Sequence, residues 1–95
     1  MTLKDKVAIV TGSATGLGAS VAILLAERGS KVVINYTKSE KEAKETVALC
    51  QAKGVEAIMA QGDVGNDEDC KKIAAAAIDK WGRIDILVNN AGTTQ

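Results

Sequence analysis

The chain has 95 residues, of which 46% are apolar and 25% are charged, with twelve positive and twelve negative side chains. This composition is that of one globular domain, and at this length folding buries only about two-thirds of the unfolded surface, so we expect a modest core. The zero net charge, the lack of a basic block and the presence of only two aromatic side chains argue against nucleic acid as a partner.

The histidine and cysteine content limits the chemistry further. There is no histidine, and the two cysteines, Cys50 and Cys70, do not form a C-x-x-C pair, so no zinc site and no histidine-based catalysis are predicted. Both cysteines lie on apolar faces of predicted helices, which favours buried reduced thiols over the alternative, a disulfide. The first apolar run ends at Val10 and is too short for a signal peptide or a membrane span. We therefore expect a cytoplasmic protein that does not contact membranes.

Short apolar runs alternate along the chain with longer segments of helical periodicity. The predicted strands are residues 7–10, 31–36, 55–61 and 84–88. The predicted helices begin near Gly16, Ser39 and Asp67. Alternation of this kind is typical of β-α-β units, so the predicted fold class is α/β with a parallel sheet.

Each predicted helix has one apolar face that we expect to pack on the sheet. In the first helix this face carries Leu17, Val21, Leu24, Leu25 and Arg28. In the second it carries Ala43, Val47 and Cys50. In the third it carries Cys70, Ile73, Ala74, Ala77, Ile78 and Trp81. At the start of the second helix, Ser39 and Glu42 have the spacing of a capping box.

A glycine-rich sequence, T-G-S-A-T-G-L-G, follows the first predicted strand and opens the first helix, which is the context in which such a loop binds phosphate. Gly12 permits a tight turn, Gly16 lets a pyrophosphate approach the backbone, and Gly18 lets the helix pack closely on the sheet. The helix N-terminus supplies N–H groups and positive partial charge, to which the hydroxyls of Ser13 and Thr15 can add hydrogen bonds. The alternative is a glycine-rich turn that binds no ligand.

This loop, together with N-N-A-G at 89–92, resembles the short-chain dehydrogenase/reductase family. Asp63-Val64, after the third predicted strand, matches the position at which that family contacts adenine. The resemblance covers residues 6–93 and extends over only the N-terminal half of a classical member, such as a 3-oxoacyl-carrier-protein reductase. It implies that residues 1–95 form part of a Rossmann-like NAD(P)-binding domain.

The resemblance also implies which residues contact the dinucleotide. The pyrophosphate and ribose loop would consist of Gly12, Ser13, Thr15, Gly16, Leu17 and Gly18. The adenine would be flanked by Asp63 and Val64. The fourth strand would line the cofactor with Asn89, Asn90, Ala91 and Gly92. Asn89 has a second possible role, which is to tie neighbouring strands together.

Cofactor choice depends on the end of the second predicted strand, where an NAD enzyme places an acidic residue against the ribose 2′-hydroxyl. Tyr36 stands at that position, followed by Thr37 and Lys38, so no carboxylate would repel a 2′-phosphate. Lys38 can pair with such a phosphate through a charge-assisted contact. We therefore predict NADP(H) in preference to NAD(H), the alternative for Lys38 being an exposed lysine that merely precedes a helix.

In this family a tyrosine, with a lysine four residues later, donates the proton that accompanies hydride transfer. The one tyrosine here, Tyr36, is followed four residues later by Glu40, so no residue receives a catalytic role. We predict the NADP(H)-binding half of an oxidoreductase that moves a hydride between NADP(H) and a carbonyl or alcohol. The alternatives are a non-catalytic nucleotide-binding module and a module that mainly associates with other chains.

The predicted architecture has three layers, strand order 3-2-1-4 and right-handed crossovers. The first two helices would cover one face of the sheet and the third the other. The fourth strand would then lie at an edge, with Ile84, Ile86 and either Leu87 or Val88 facing an incomplete layer. Because an exposed apolar edge strand pairs readily with other chains, we predict self-association or pairing with a missing C-terminal half.

Overall fold

Strands and helices alternate along the chain in the computed structural model, which describes residues 2–90. The strands are β1 (Val7–Val10), β2 (Lys31–Tyr36), β3 (Ala57–Gln61) and β4 (Ile86–Val88). The helices are α1 (Gly16–Glu27), α2 (Glu40–Gln51) and α3 (Asp67–Trp81). All seven predicted elements are present, although β3 and β4 each begin two residues later than predicted.

The four strands form one parallel sheet in the order β3-β2-β1-β4, which confirms the predicted topology. In the β1–β2 pair, Val7 lies opposite Lys31, and in the β1–β4 pair Val10 lies opposite Val88. Because all strands run in the same direction, their carboxyl ends meet at one edge of the sheet, where ligands bind in open α/β folds. The fold is a Rossmann-like α/β sheet with three helices.

Two separate hydrophobic clusters show that the sheet is covered on both faces. One cluster joins Val10 and Ile34 to Ala22 of α1 and Ala43 of α2. The other joins Val7, Ile9 and Val33 to Ile73 and Ala77 of α3. Alternate residues of β1 and β2 therefore point to opposite layers, which explains why both strands are apolar without interruption. The predicted three-layer arrangement, with α1 and α2 on one face, is confirmed.

The prediction of the buried face of α1 is confirmed at Val21 and Leu25, which are partly buried and pack against the core, and is wrong for its other members. Gly18, Ala22 and Ala26 are its buried residues, whereas Leu17 is 71% exposed and Leu24 is 49% exposed. Small residues four positions apart lie on one helix face and allow the helix backbone to approach the sheet closely. The size of the side chains at the interface thus decides which face of α1 is buried.

The predicted capping box of α2 is not formed, because the Ser39 side chain makes no cap hydrogen bond. The first turn is closed instead by the backbone, with the Ala43 N–H donating to the Ser39 carbonyl at 2.9 Å. The apolar face of α2 is confirmed at Ala43 and Cys50, both fully buried. Thr46 is buried between them and donates its hydroxyl hydrogen to the Ala14 carbonyl at 2.8 Å.

The two cysteines are both free thiols but lie in different environments. Cys50 is buried as predicted, and burial raises the pKa of its thiol to about 11, so it remains protonated at neutral pH. Cys70 is exposed, contrary to the prediction, and so is Ile78 on the same side of α3. The reason is that Ile73 and Ala77 form the contact of α3 with the sheet, and the rest of the apolar face extends past that contact.

A carboxylate fixes the start of β4 against β1. Asp85 Oδ2 accepts a hydrogen bond from the Val7 N–H at 2.9 Å, and Arg83 binds the same carboxylate through two nitrogens at 2.7 and 2.8 Å. The hydrogen bonds from Arg83 and Val7 lower the pKa of Asp85, because they stabilise its charged form. One edge of β4 pairs with β1, and the other edge pairs with no strand of residues 2–90.

Within residues 2–90, no helix combines the length and the apolar character that crossing a bilayer requires.

Candidate functional site

A cavity of about 340 Å³ opens at the carboxyl edge of the sheet. It is lined by Gly12, Asn35, Thr37, Gly62, Asp63, Val64 and Asn90. These residues follow or end all four strands, so the cavity lies where the parallel strands point, and Gly12 is the member of the glycine-rich loop that lines it. This is the position at which doubly wound sheets bind nucleotides.

The glycine-rich loop is shaped by left-handed backbone conformations at Gly12 (φ +61°) and Gly16 (φ +63°). Apart from its neighbours in the chain and helix, a Cβ atom at Gly16 would meet no atom of residues 2–90 within 4 Å, so this side of the loop faces away from the described part of the chain. Thr15 at the N-cap makes no side-chain cap hydrogen bond, and the first turn of α1 carries no acidic residue. The N–H groups and positive partial charge of this helix end are therefore directed at an uncapped, open position suited to an anion.

Gly18 allows α1 to lie directly against the loop. A Cβ atom there would collide with the Gly12 carbonyl oxygen and would lie 2.7 Å from Asn90 Nδ2 and 3.0 Å from Ser13 Cα. Two of these three neighbours are backbone atoms, which cannot move away through a change of side-chain rotamer. Gly18 therefore permits a close approach of α1 to the glycine-rich loop, whereas the prediction was a close approach to the sheet.

The Ser13 side chain is fully buried beneath the loop. Its hydroxyl donates to the Val10 carbonyl at 2.6 Å and accepts from the Asn35 N–H at 3.0 Å. The hydroxyl therefore fixes the loop to β1 and β2, while contact of Ser13 with a phosphate stays a prediction. Thr15 and Leu17, in contrast, are exposed at the mouth of the loop.

Asn35 is a site residue that sequence reasoning did not identify. Its side-chain oxygen accepts from the Gly12 N–H at 2.9 Å, and its amide nitrogen donates to the carbonyls of Ala60 at 3.2 Å and Gly62 at 3.1 Å. It is 2% exposed. The sequence did carry a signal, which is a polar residue near the end of the otherwise apolar strand β2. A buried polar side chain requires hydrogen-bond partners, so this residue could have been expected to connect neighbouring segments.

Asp63 and Val64 line the cavity from the loop between β3 and α3, where the adenine was predicted. The Asp63 carboxylate accepts from the Gly65 N–H at 2.8 Å, and the Asp63 N–H donates to Asp69 Oδ2 at 2.9 Å. Asn66 caps α3 by accepting from the Asp69 N–H at 3.1 Å. These bonds fix the loop, while adenine contact stays a prediction.

The residues predicted to select the cofactor end β2 and enter the following loop. Tyr36 is 8% exposed and packs in the cluster on the α1 and α2 face of the sheet. Thr37 lines the cavity, and its carbonyl accepts from Gln61 Nε2 at 2.9 Å. Lys38 is exposed beside this position. The end of β2 therefore carries an exposed lysine, and no acidic residue is present at positions 35–38.

The end of β4 is tied to the glycine-rich loop by two asparagines. Asn89 Oδ1 lies 3.3 Å from the Thr11 hydroxyl, and Asn90 Nδ2 donates to the Gly12 carbonyl at 3.2 Å. Asn90 lines the cavity, whereas Asn89 borders an adjoining groove between α3 and β4. This groove shares Asp63 and Val64 with the cavity and is otherwise lined mainly by α3 and by Ile84 and Leu87. The strand-linking interpretation of Asn89 thus agrees with its position. Ala91 and Gly92, also predicted to line the cofactor, lie outside the described residues.

Among residues 2–90 there is no cluster of three or more histidine, cysteine, aspartate or glutamate side chains that could hold a metal ion. Asp63 is the one acidic side chain among the residues that line the cavity. The N-terminus of α1 is therefore the group of this site that is suited to phosphate oxygens, whereas the Asn35 amide is used in hydrogen bonds within the protein.

The chain belongs to the short chain dehydrogenase family, whose family model matches residues 6–95. It is 41% identical over its whole length to the short-chain dehydrogenase/reductase homolog YusS of Bacillus subtilis (strain 168), of which it covers 87%. It is 44% identical over 93 residues, 98% of the chain, to a 3-oxoacyl-[acyl-carrier-protein] reductase of Synechocystis sp., of which it covers 38%.

Solved structures of the same kind have the same fold. A putative dehydrogenase from Burkholderia cenocepacia with bound NADP superposes with a TM-score of 0.87 at 36% identity, over 93% of this chain and 34% of that protein. The chain thus corresponds to nearly all of one short relative and to little more than a third of these two longer proteins. The oxidoreductase fold of these proteins is present here in its N-terminal part.

Proposed function

We propose that residues 1–95 are a partial NAD(P)-binding domain that binds NADP(H). The observation that carries this proposal is the open side of Gly16 at the uncapped N-terminus of α1, beside a cavity at the carboxyl edge of the sheet. The presence of NADP in the Burkholderia cenocepacia dehydrogenase supports it. In the complete oxidoreductase, the bound cofactor would exchange a hydride with a carbonyl or alcohol.

Each part of the site has a proposed contact. The pyrophosphate lies against Gly16 and the first turn of α1, where Thr15 can add a hydrogen bond. The adenine lies at Asp63 and Val64, and the 2′-phosphate lies near Lys38. No described side chain is proposed to move a proton, so the chain by itself is expected to bind the cofactor and oxidise none of it.

Preference for NADP(H) over NAD(H) is tested by Lys38→Glu. The charge reversal replaces an attractive contact with a repulsive one at the 2′-phosphate, so we expect NADPH affinity to fall by about tenfold or more. NADH affinity should change by less than about threefold, because NADH lacks that phosphate. Both affinities are measured by titration of the reduced-nicotinamide fluorescence.

The matched control is Lys72→Glu, which reverses the charge of an exposed lysine on α3 outside the cavity lining. It should leave both affinities unchanged. Equal losses of affinity for NADPH and NADH in the Lys38→Glu variant would show that this residue does not contact the 2′-phosphate. That result would restore NAD(H) as an equal candidate.

Association through β4 is a second proposal, favoured by the edge position of this strand. Leu87 at its centre is 66% exposed, and Ile84 before it is 37% exposed. A strand edge with unpaired N–H and C=O groups beside apolar side chains is a template for another strand. We propose that a second copy pairs there, or that C-terminal residues of a longer family member do so. The cytoplasm remains the proposed location.

A further inference from the structure

We propose that Asn35 is a positioning residue that holds the two halves of the dinucleotide site at a fixed separation. This inference rests on the proposed function, because it concerns how the same cavity recognises a two-part ligand. One half is the glycine-rich loop, which takes the pyrophosphate. The other is the loop after β3, which takes the adenine.

The hydrogen bonds of Asn35 connect these two loops directly. Its oxygen holds the Gly12 N–H, and its nitrogen holds the carbonyls of Ala60 and Gly62. The Asn35 main chain adds a second connection, because its N–H donates to Ser13 Oγ and its carbonyl accepts from the Ser13 N–H at 2.9 Å. Gly12, Asn35 and Gly62 all line the cavity, so these bonds run along its wall.

The chemistry of the connection requires an amide. One acceptor and two donor hydrogens are used at once, and the side chain is 2% exposed, so water cannot replace a lost partner. Aspartate would keep the acceptor for the Gly12 N–H but would place a carboxylate against the two carbonyl oxygens of Ala60 and Gly62. It would therefore retain one loop and release the other.

A fixed separation matters only for a ligand that bridges both loops. When two linked groups bind to sites held at the correct spacing, the second binds as an intramolecular partner at high effective concentration. A loss of rigidity weakens this advantage but leaves the contacts of each group largely intact. Asn35 should therefore affect NADPH much more than it affects a fragment that occupies one side of the cavity.

The experiment titrates the full chain and its Asn35→Asp variant with NADPH and with adenosine 2′-monophosphate, which carries the adenine and the 2′-phosphate but no part of the pyrophosphate. We expect NADPH affinity to fall by about tenfold or more, and adenosine 2′-monophosphate affinity to fall by no more than about threefold. Asn35→Ser, which is shorter and uncharged, is measured in parallel and should show the same difference between the two ligands. The Asn35→Ser variant also provides the test if the Asn35→Asp variant does not fold.

The control is Ser30→Ala, which removes a fully buried hydroxyl that donates to a backbone carbonyl away from the cavity lining. It should lower thermal stability without changing the ratio of the two affinities. Equal losses of affinity for NADPH and adenosine 2′-monophosphate in the Asn35 variants, or no loss of either, would overturn the positioning role. Failure of the unmodified chain to bind both ligands would overturn the proposed function itself.

Discussion

Gly16→Val is expected to abolish NADPH binding while most of the fold remains. The new side chain would not collide with the described part of the chain, because beyond its neighbours in the chain and helix no atom of residues 2–90 lies within 4 Å of a Cβ at this position. That space is where the pyrophosphate must approach the backbone, so the valine would occupy it. The left-handed conformation, φ +63°, adds a strain of about 1–2 kcal/mol for a residue with a Cβ atom. We expect NADPH affinity to fall by at least about a hundredfold, which corresponds to about 3 kcal/mol of lost binding.

The control Gly82→Val distinguishes the effect of backbone strain from the effect of filling the space that the pyrophosphate needs. Gly82 ends α3 with φ +77°, and a Cβ atom there would likewise meet no other part of residues 2–90 within 4 Å, but this glycine lies at the C-terminus of α3 and not in the glycine-rich loop. This variant should lose a similar amount of thermal stability and keep its affinity for NADPH. If Gly16→Val bound NADPH as tightly as the unmodified chain, the glycine-rich loop would not be part of the site.

Leu87→Lys is expected to convert associated forms of the chain into monomers. Leu87 lies at the centre of β4 and is 66% exposed, and the outer edge of this strand pairs with no other strand of residues 2–90. A lysine there keeps the strand but places a charge in any apolar contact, which is how natural edge strands prevent pairing. At micromolar concentration, light scattering after size-exclusion chromatography should report dimers or larger forms for the unmodified chain and monomers for the variant.

Leu49→Lys is the matched control. Leu49 is 53% exposed and lies on α2, a helix that packs on β2 and β3, which β1 separates from β4. It should leave the association unchanged. A monomeric unmodified chain at high concentration would contradict pairing through β4. An equal effect of both variants would indicate nonspecific hydrophobic association.

The fold was largely predictable because its signals are strong and local. β1 and β2 are apolar without interruption, as strands covered on both faces must be, and the strand order agrees with that predicted. The buried face of α1 was not predictable from hydrophobicity, since the tight contact uses Gly18 and Ala22 and leaves Leu17 in solvent. The exposure of Cys70 was missed because an apolar stripe does not reveal how much of it a neighbouring layer covers.

The site was predictable where backbone conformation dictates the residue. Gly12 and Gly16 both have positive φ angles, and Gly18 has no room for a Cβ atom, so their spacing identified the loop. Asn35 was missed because its partners, among them Gly12 and Gly62, are distant in sequence and meet only when the strands are side by side. Such connections belong to the tertiary structure and leave only a weak trace in the sequence.

The most direct test of the central claim is a titration of the isotopically labelled chain with NADPH, followed through its backbone amide resonances. We predict saturable binding, with the largest shifts in the glycine-rich loop at residues 12–18, at residues 36–38 and at residues 62–64, and no oxidation of NADPH by added ketones. Absence of shifts, or shifts in the groove between α3 and β4 with none at residues 12–18 or 36–38, would contradict a dinucleotide site at the carboxyl edge of this sheet.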